Sequence, residues 1–85
     1  MTVLDDDEPS MMRVAGLVVD VPDHPSPGIL FKDITPVLAD AEAFTTVATE
    51  LAALVGHAEL VVAIEARGFL VGAAVALVAG TGVVP

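Results

Sequence analysis

Cysteine, tryptophan and tyrosine are absent from this 85-residue sequence, and only Arg13, Lys32 and Arg67 carry a full positive charge. The lack of cysteine excludes disulfides, thiolate zinc sites and a cysteine nucleophile, and it fits a reducing compartment, so a cytoplasmic location is expected. Twelve acidic residues against three basic ones give a formal net charge of −9. Nucleic acid is therefore not an expected partner, because no basic surface is available to displace counterions from phosphates. Serine occurs only at Ser10 and Ser26, in tail and turn contexts, which leaves no Ser–His–Asp set. His24 and His57 stand alone, without acids at ligand spacing, and no metal held by the protein itself is expected. The uncharged run Phe69 to Ala79 falls short of the roughly 20 apolar residues that span a bilayer. The acidic N-terminus is no signal peptide, so a soluble protein without a membrane partner is expected.

What is abundant is apolar sequence, 55% of the chain. A domain this small has too much surface to bury all of it, so either self-association or membership of something larger is expected. Gly82-Val83-Val84-Pro85 reads as a strand just beginning, as if the fold were cut part-way. At the other end, residues 1–13, with the run Asp5-Asp6-Asp7-Glu8, read as a disordered acidic tail. Met1, Met11 and Met12 are alternative starts.

Between these limits the pattern is that of an α/β protein. Met11 to Val19 is read as a short helix ended by Pro22, and Asp20 to Gly28, with three prolines, as a turn-rich connector. Ile29-Leu30-Phe31 reads as an extended segment. Thr35-Pro36 opens one or two helical turns, with Thr35 as N-cap. Asp40 is a second N-cap, with Glu42 in the first turn of a helix over about 41–55, where Phe44, Val47, Ala48, Leu51, Ala52 and Val55 share a face. Gly56 is its C-terminal cap. A strand over 59–64, a helix over 69–79 capped by Gly80, and a strand from Gly82 then make a parallel βαβ unit. Leu60 to Ile64 has the composition of a strand buried on both faces, and Phe69 to Ala79 that of a buried helix.

Glu65 and Arg67 are the only charges from Leu60 to the end of the chain, and they fall at the strand-to-helix turn. Ligand sites of α/β proteins lie at such turns. A cation at a helix start opposes the dipole, which is explained if an anion binds there with the free amides of Gly68, Phe69 and Leu70. A phosphate or pyrophosphate suits that pocket, and an ion pair between Arg67 and Glu65 explains the same two charges equally well. Gly68 and Gly72 form neither a dinucleotide fingerprint nor a P-loop; Gly72 is read as allowing close helix–sheet packing. In Pro27-Gly28-Ile29-Leu30-Phe31-Lys32-Asp33-Ile34-Thr35-Pro36, an aromatic beside a Lys–Asp pair is able to stack on a flat ligand whose edge the backbone reads, although a core phenylalanine beside a solvated ion pair is the commoner meaning.

Val21-Pro22-Asp23-His24-Pro25 together with Pro27 through Leu38 resembles the N-terminal signature of the adenine phosphoribosyltransferases, and Ala63-Ile64-Glu65-Ala66-Arg67-Gly68-Phe69 resembles their pyrophosphate loop. The likeness is collinear from about Val14 to Pro85. It implies a partial phosphoribosyltransferase-type fold: the βαβ unit preceded by a helical and extended hood segment, with residues 14–85 forming the N-terminal part of a domain that stops before the main phosphate-binding loop. The reaction implied transfers ribose 5-phosphate from phosphoribosyl pyrophosphate to adenine, giving AMP and pyrophosphate with Mg²⁺. Adenine is then expected against Phe31, with the backbone of Leu30 and Lys32 reading its edge. Glu65, Ala66, Arg67 and Gly68 become the pyrophosphate loop, with a cis Glu65–Ala66 peptide. Lys32 stands where many members have arginine, and His24 where an aromatic is usual. The family's catalytic carboxylate lies in a later acidic loop that these 85 residues lack, so no catalytic residue is expected in them and little activity from them alone. The intact enzyme is expected to be a homodimer. A non-catalytic chain that acts only through a partner, or a transferase for another base, are the alternatives.

Overall fold

The computed structural model describes residues 8–85, in the order α1 (Glu8–Leu17), β1 (Val19–Val21), β2 (Phe31–Asp33), α2 (Thr35–Ala39), α3 (Ala41–Val55), β3 (Leu60–Val62), α4 (Arg67–Ala79) and β4 (Gly82–Val84). The chain divides into two units, one ending at Thr46 and one beginning at Val47. Residues 1–7 of the expected acidic tail lie outside the described residues.

In the first unit, α1 begins at Glu8, three residues before the helix start expected at Met11, so residues 8–10 are helical rather than tail-like. The acidic run obscures a stripe at Met11, Val14 and Leu17, whose central residue is buried. Glu8 sits in the first turn, where the dipole favours an acid. The helix ends at Leu17 instead of Val19 because Val18, Val19 and Val21 are better suited to a strand. β1 pairs antiparallel with β2 in the register Val19–Asp33, Asp20–Lys32 and Val21–Phe31. The extended segment is thus shifted two residues on from its expected place, and it has a partner that the sequence did not announce.

Thr35 is not the N-cap of α2. That position is Ile34, which offers no capping side chain, and the carboxylate of Asp33 accepts the Thr35 amide at 2.9 Å instead. Pro36 lies in the first turn as expected. Asp40 does cap α3, its side chain accepting from the backbone of Ala43 and Glu42. Arg13 reaches the same carboxylate from α1, with Nε donating to Oδ2 at 2.6 Å and Nη2 to Oδ1 at 3.1 Å, and its Nε lies 3.3 Å from Glu42. This fork joins α1, which also packs on α2, to the start of α3.

The bond from Arg13, with further help from its charge and from the helix amides, holds the Asp40 carboxyl below its ordinary range. A carboxyl lowered in the folded state stabilises the fold above its unfolded value, and that contribution is lost as pH falls through the folded value. Asp40→Asn is therefore expected to flatten the acid limb of a stability-versus-pH curve measured by chemical denaturation. An unchanged acid limb would contradict this role.

In the second unit, α3 closes at Gly56 with φ +67° and α4 at Gly80 with φ +78°, the left-handed geometry expected of both glycines. The Thr81 amide returns to the Ala76 carbonyl at 2.9 Å. β3, α4 and β4 form the expected βαβ unit, with parallel register Leu60–Gly82, Val61–Val83 and Val62–Val84. One more bond, from the Ala63 amide to the Val84 carbonyl, extends the ladder. α4 begins at Arg67, two residues earlier than expected. Gly72, Val75 and Ala76 are its buried positions, and it packs on both strands.

β3 is not buried on both faces, nor α4 all round. Val62 is 71% exposed and Leu77 82% exposed, whereas Ala63 is buried. A two-stranded sheet with one crossover helix has too few partners to cover its apolar residues. No helix among the described residues is long and apolar enough to cross a membrane.

Candidate functional site

The base-reading candidates lie in the first unit. Leu30 ends the connector and is exposed, Phe31 opens β2 half-buried, and Lys32 follows with its side chain outside. The Lys32 ammonium donates to the carboxylate of Asp20 at 2.6 Å, directly across the ladder. Both groups are more than half exposed, so the pair adds little stability. Its geometric effect is to turn the lysine towards β1. β2 pairs with β1 alone among the described residues.

The connector is held by its own bonds. The Asp23 carboxylate accepts the Gly28 amide at 2.9 Å, the His24 amide donates to the Ile29 carbonyl at 3.0 Å, and the Ile29 amide to the Ser26 carbonyl at 3.2 Å. Asp23 and Gly28 take positive φ, +56° and +85°, and the His24–Pro25 peptide is cis. The loop encloses a shallow pocket of about 180 Å³ lined by Pro22, Asp23, Gly28, Ile29 and Leu30. His24, a lone histidine in the sequence, meets Phe31 edge to face, with ring centroids 5.1 Å apart and planes 80° apart. Neither this contact nor the Asp20–Lys32 pair is legible in the sequence. The cue to both is the β1–β2 register, which only pairing reveals.

The anion candidates lie in the second unit. Glu65, Ala66 and Arg67 are exposed, Gly68 is half-buried, and the four form the turn between β3 and α4. The Glu65–Ala66 peptide is cis, as the resemblance implied. Ala66 is the N-cap and offers no capping side chain, and no acid occupies the first turn of α4. Of the three amides expected to be free, that of Phe69 donates back to the Ala66 carbonyl at 3.3 Å, so the turn offers an anion fewer backbone donors than the sequence suggests. No group of three or more His, Cys, Asp or Glu among the described residues is placed to hold a metal ion.

No protein-family model matches the chain. The adenine phosphoribosyltransferase of Mycobacterium sp. (strain KMS) is 60% identical over 70 residues, which is 82% of this chain and 40% of that protein. The crystal structure of adenine phosphoribosyltransferase from Thermoanaerobacter pseudethanolicus superposes with a TM-score of 0.81 at 44% identity, over 88% of this chain and 46% of that one. The Saccharomyces cerevisiae enzyme, solved with an iminoaltritol bisphosphate and adenine, gives a TM-score of 0.79 at 28% identity, over 92% of this chain and 50% of that one. The chain is a homologue of these proteins over their N-terminal portion, shares their partial fold, and spans half of their length or less.

Proposed function

We propose that this chain is the base-recognising, pyrophosphate-contacting part of an adenine phosphoribosyltransferase, the enzyme that converts adenine and phosphoribosyl pyrophosphate into AMP and pyrophosphate. The observation that carries this reading is collinearity. Any 70-residue stretch of this chain includes both the Phe31 segment and the Glu65–Gly68 turn, so both fall within the 60%-identical match. Adenine packs on Phe31, and the backbone of Leu30 and Lys32 reads its edge. Glu65, Ala66, Arg67 and Gly68 receive the pyrophosphate, whose departing charge Arg67 stabilises. Catalysis of this kind consists largely of holding two substrates in register. Mg²⁺ comes with the sugar donor as part of the substrate. The intact enzyme is a cytoplasmic homodimer in this reading.

The test is adenine binding by the 85-residue chain, followed by NMR or calorimetry. Base–aromatic stacking contributes about 1–3 kcal/mol per base, so Phe31→Ala is expected to weaken adenine by about 10-fold or more. Hypoxanthine is expected to bind less well than adenine; a preference for hypoxanthine or orotate would move the reading to another base. The 85 residues alone are expected to form no AMP, because they contain no counterpart of the family's acidic ribose-phosphate loop.

A second reading, a non-catalytic chain that works through a partner polypeptide, draws support from the exposure of Leu54, Ile64 and Leu77, each near 80%. Light scattering on the purified chain separates the two: a stable monomer argues against a partner-dependent role.

A further inference from the structure

We propose that His24 is a positioning residue for the base: its ring fixes the plane of the Phe31 ring before the ligand arrives. This rests on the reading that a purine stacks on Phe31. Phe31 is only half-buried and stands at the start of β2, so a side chain there has room to change its rotamer. One perpendicular ring partner, at 5.1 Å and 80°, limits that freedom. His24 is itself fixed by the backbone. Its amide is bonded to the Ile29 carbonyl, and the Asp23–Gly28 bond closes the same loop around it. The two rings are seven positions apart in sequence, and the β1–β2 pairing and the connector bring them into contact. Holding an aromatic in its bound orientation lowers the ordering cost of binding, so the contact acts on affinity even though His24 itself need not touch the ligand.

The edge-to-face contact requires a ring and not an imidazole, which sets the test. Adenine binding is measured for the 85-residue chain and for His24→Ala, His24→Phe and Phe31→Ala, with thermal melts alongside. An aromatic pair of this kind corresponds to a factor of about 2–10, so His24→Ala is expected to weaken adenine by that amount with little change in melting, while His24→Phe binds as the parent does. In NMR spectra the His24 ring protons are expected to shift on Phe31→Ala, because the ring current of Phe31 is removed. If Phe31→Ala weakens adenine and His24→Ala does not, the positioning role is overturned and the base site stands. If His24→Phe is as weak as His24→Ala, the role belongs to the imidazole and the proposal also falls. If the chain binds no adenine, or Phe31→Ala leaves binding unchanged, the base-site reading fails and takes this one with it.

Discussion

Gly72→Ala is expected to destabilise the second unit. A Cβ built on Gly72 lies 2.6 Å from the Cβ of Ala63, far inside the roughly 3.5–4.0 Å at which carbon atoms attract. Ala63 has no rotamer to turn away: its Cβ moves only if β3 moves. Two effects compete at this site. Alanine in a helix interior is favoured over glycine by about 1 kcal/mol, whereas overpacking a tight contact costs about 1–3 kcal/mol. Because the obstacle is fixed to the backbone, the clash wins, and a net loss of up to about 2 kcal/mol is expected. In a domain of this size that lowers the melting midpoint by about 4–8 °C per kcal/mol, readable by circular dichroism. Gly72→Val is expected to cost more. The specific check is a double-mutant cycle with Ala63→Gly, which removes the opposing Cβ: the two changes together are expected to be less harmful than their sum. Additive losses, or a Gly72→Ala chain that melts no lower than the parent, would show that the close approach does not limit the packing.

Arg67→Ala is expected to weaken inorganic pyrophosphate binding to the 85-residue chain by about 10- to 100-fold, the range for losing hydrogen bonds to a charged group. The two explanations left open by the sequence differ here. If Arg67 serves an anion, affinity falls with the substitution and with added salt, while the melting midpoint changes little. Arg67→Lys then restores only part of the affinity, since an ammonium is a point charge without the planar fork that grips phosphate oxygens. If Arg67 instead serves Glu65, Glu65→Gln and Arg67→Ala should alter stability equally and leave pyrophosphate binding untouched.

Much of α3 and of the second unit is legible in residues alone. The α3 helix over 41–55, its Asp40 cap and its Gly56 terminus are local events: a carboxylate reaches amides two and three residues on, and a glycine takes positive φ where its neighbours resist it. The βαβ order follows from the lengths of two apolar runs and the charges between them. Inferences about partners fare worse. The composition of β3 suggests burial on both faces, but composition states what a strand tolerates and not what lies beside it, and Val62 is exposed. The first unit is harder to read. Its hairpin is closed by a proline-rich connector over 22–30 instead of a two-residue turn, so the usual hairpin signal is missing. Asp33 makes the capping bond expected of Thr35, a shift of two residues that spacing alone does not resolve.

The sequence by itself therefore determined the kind of chain this is. Helix caps, glycine stops and the charge pair at the β3–α4 turn are written in residues that act on near neighbours, and the resemblance of the Phe31 segment and of Ala63–Phe69 placed the chain beside the adenine phosphoribosyltransferases. Tertiary structure alone decided which groups meet: Lys32 with Asp20, Arg13 with Asp40, His24 with Phe31, and Gly72 with Ala63. The reason is range. Capping and propensity act over a few bonds and leave a local trace, whereas these contacts depend on strand register and helix approach, which the chain sets only when it folds.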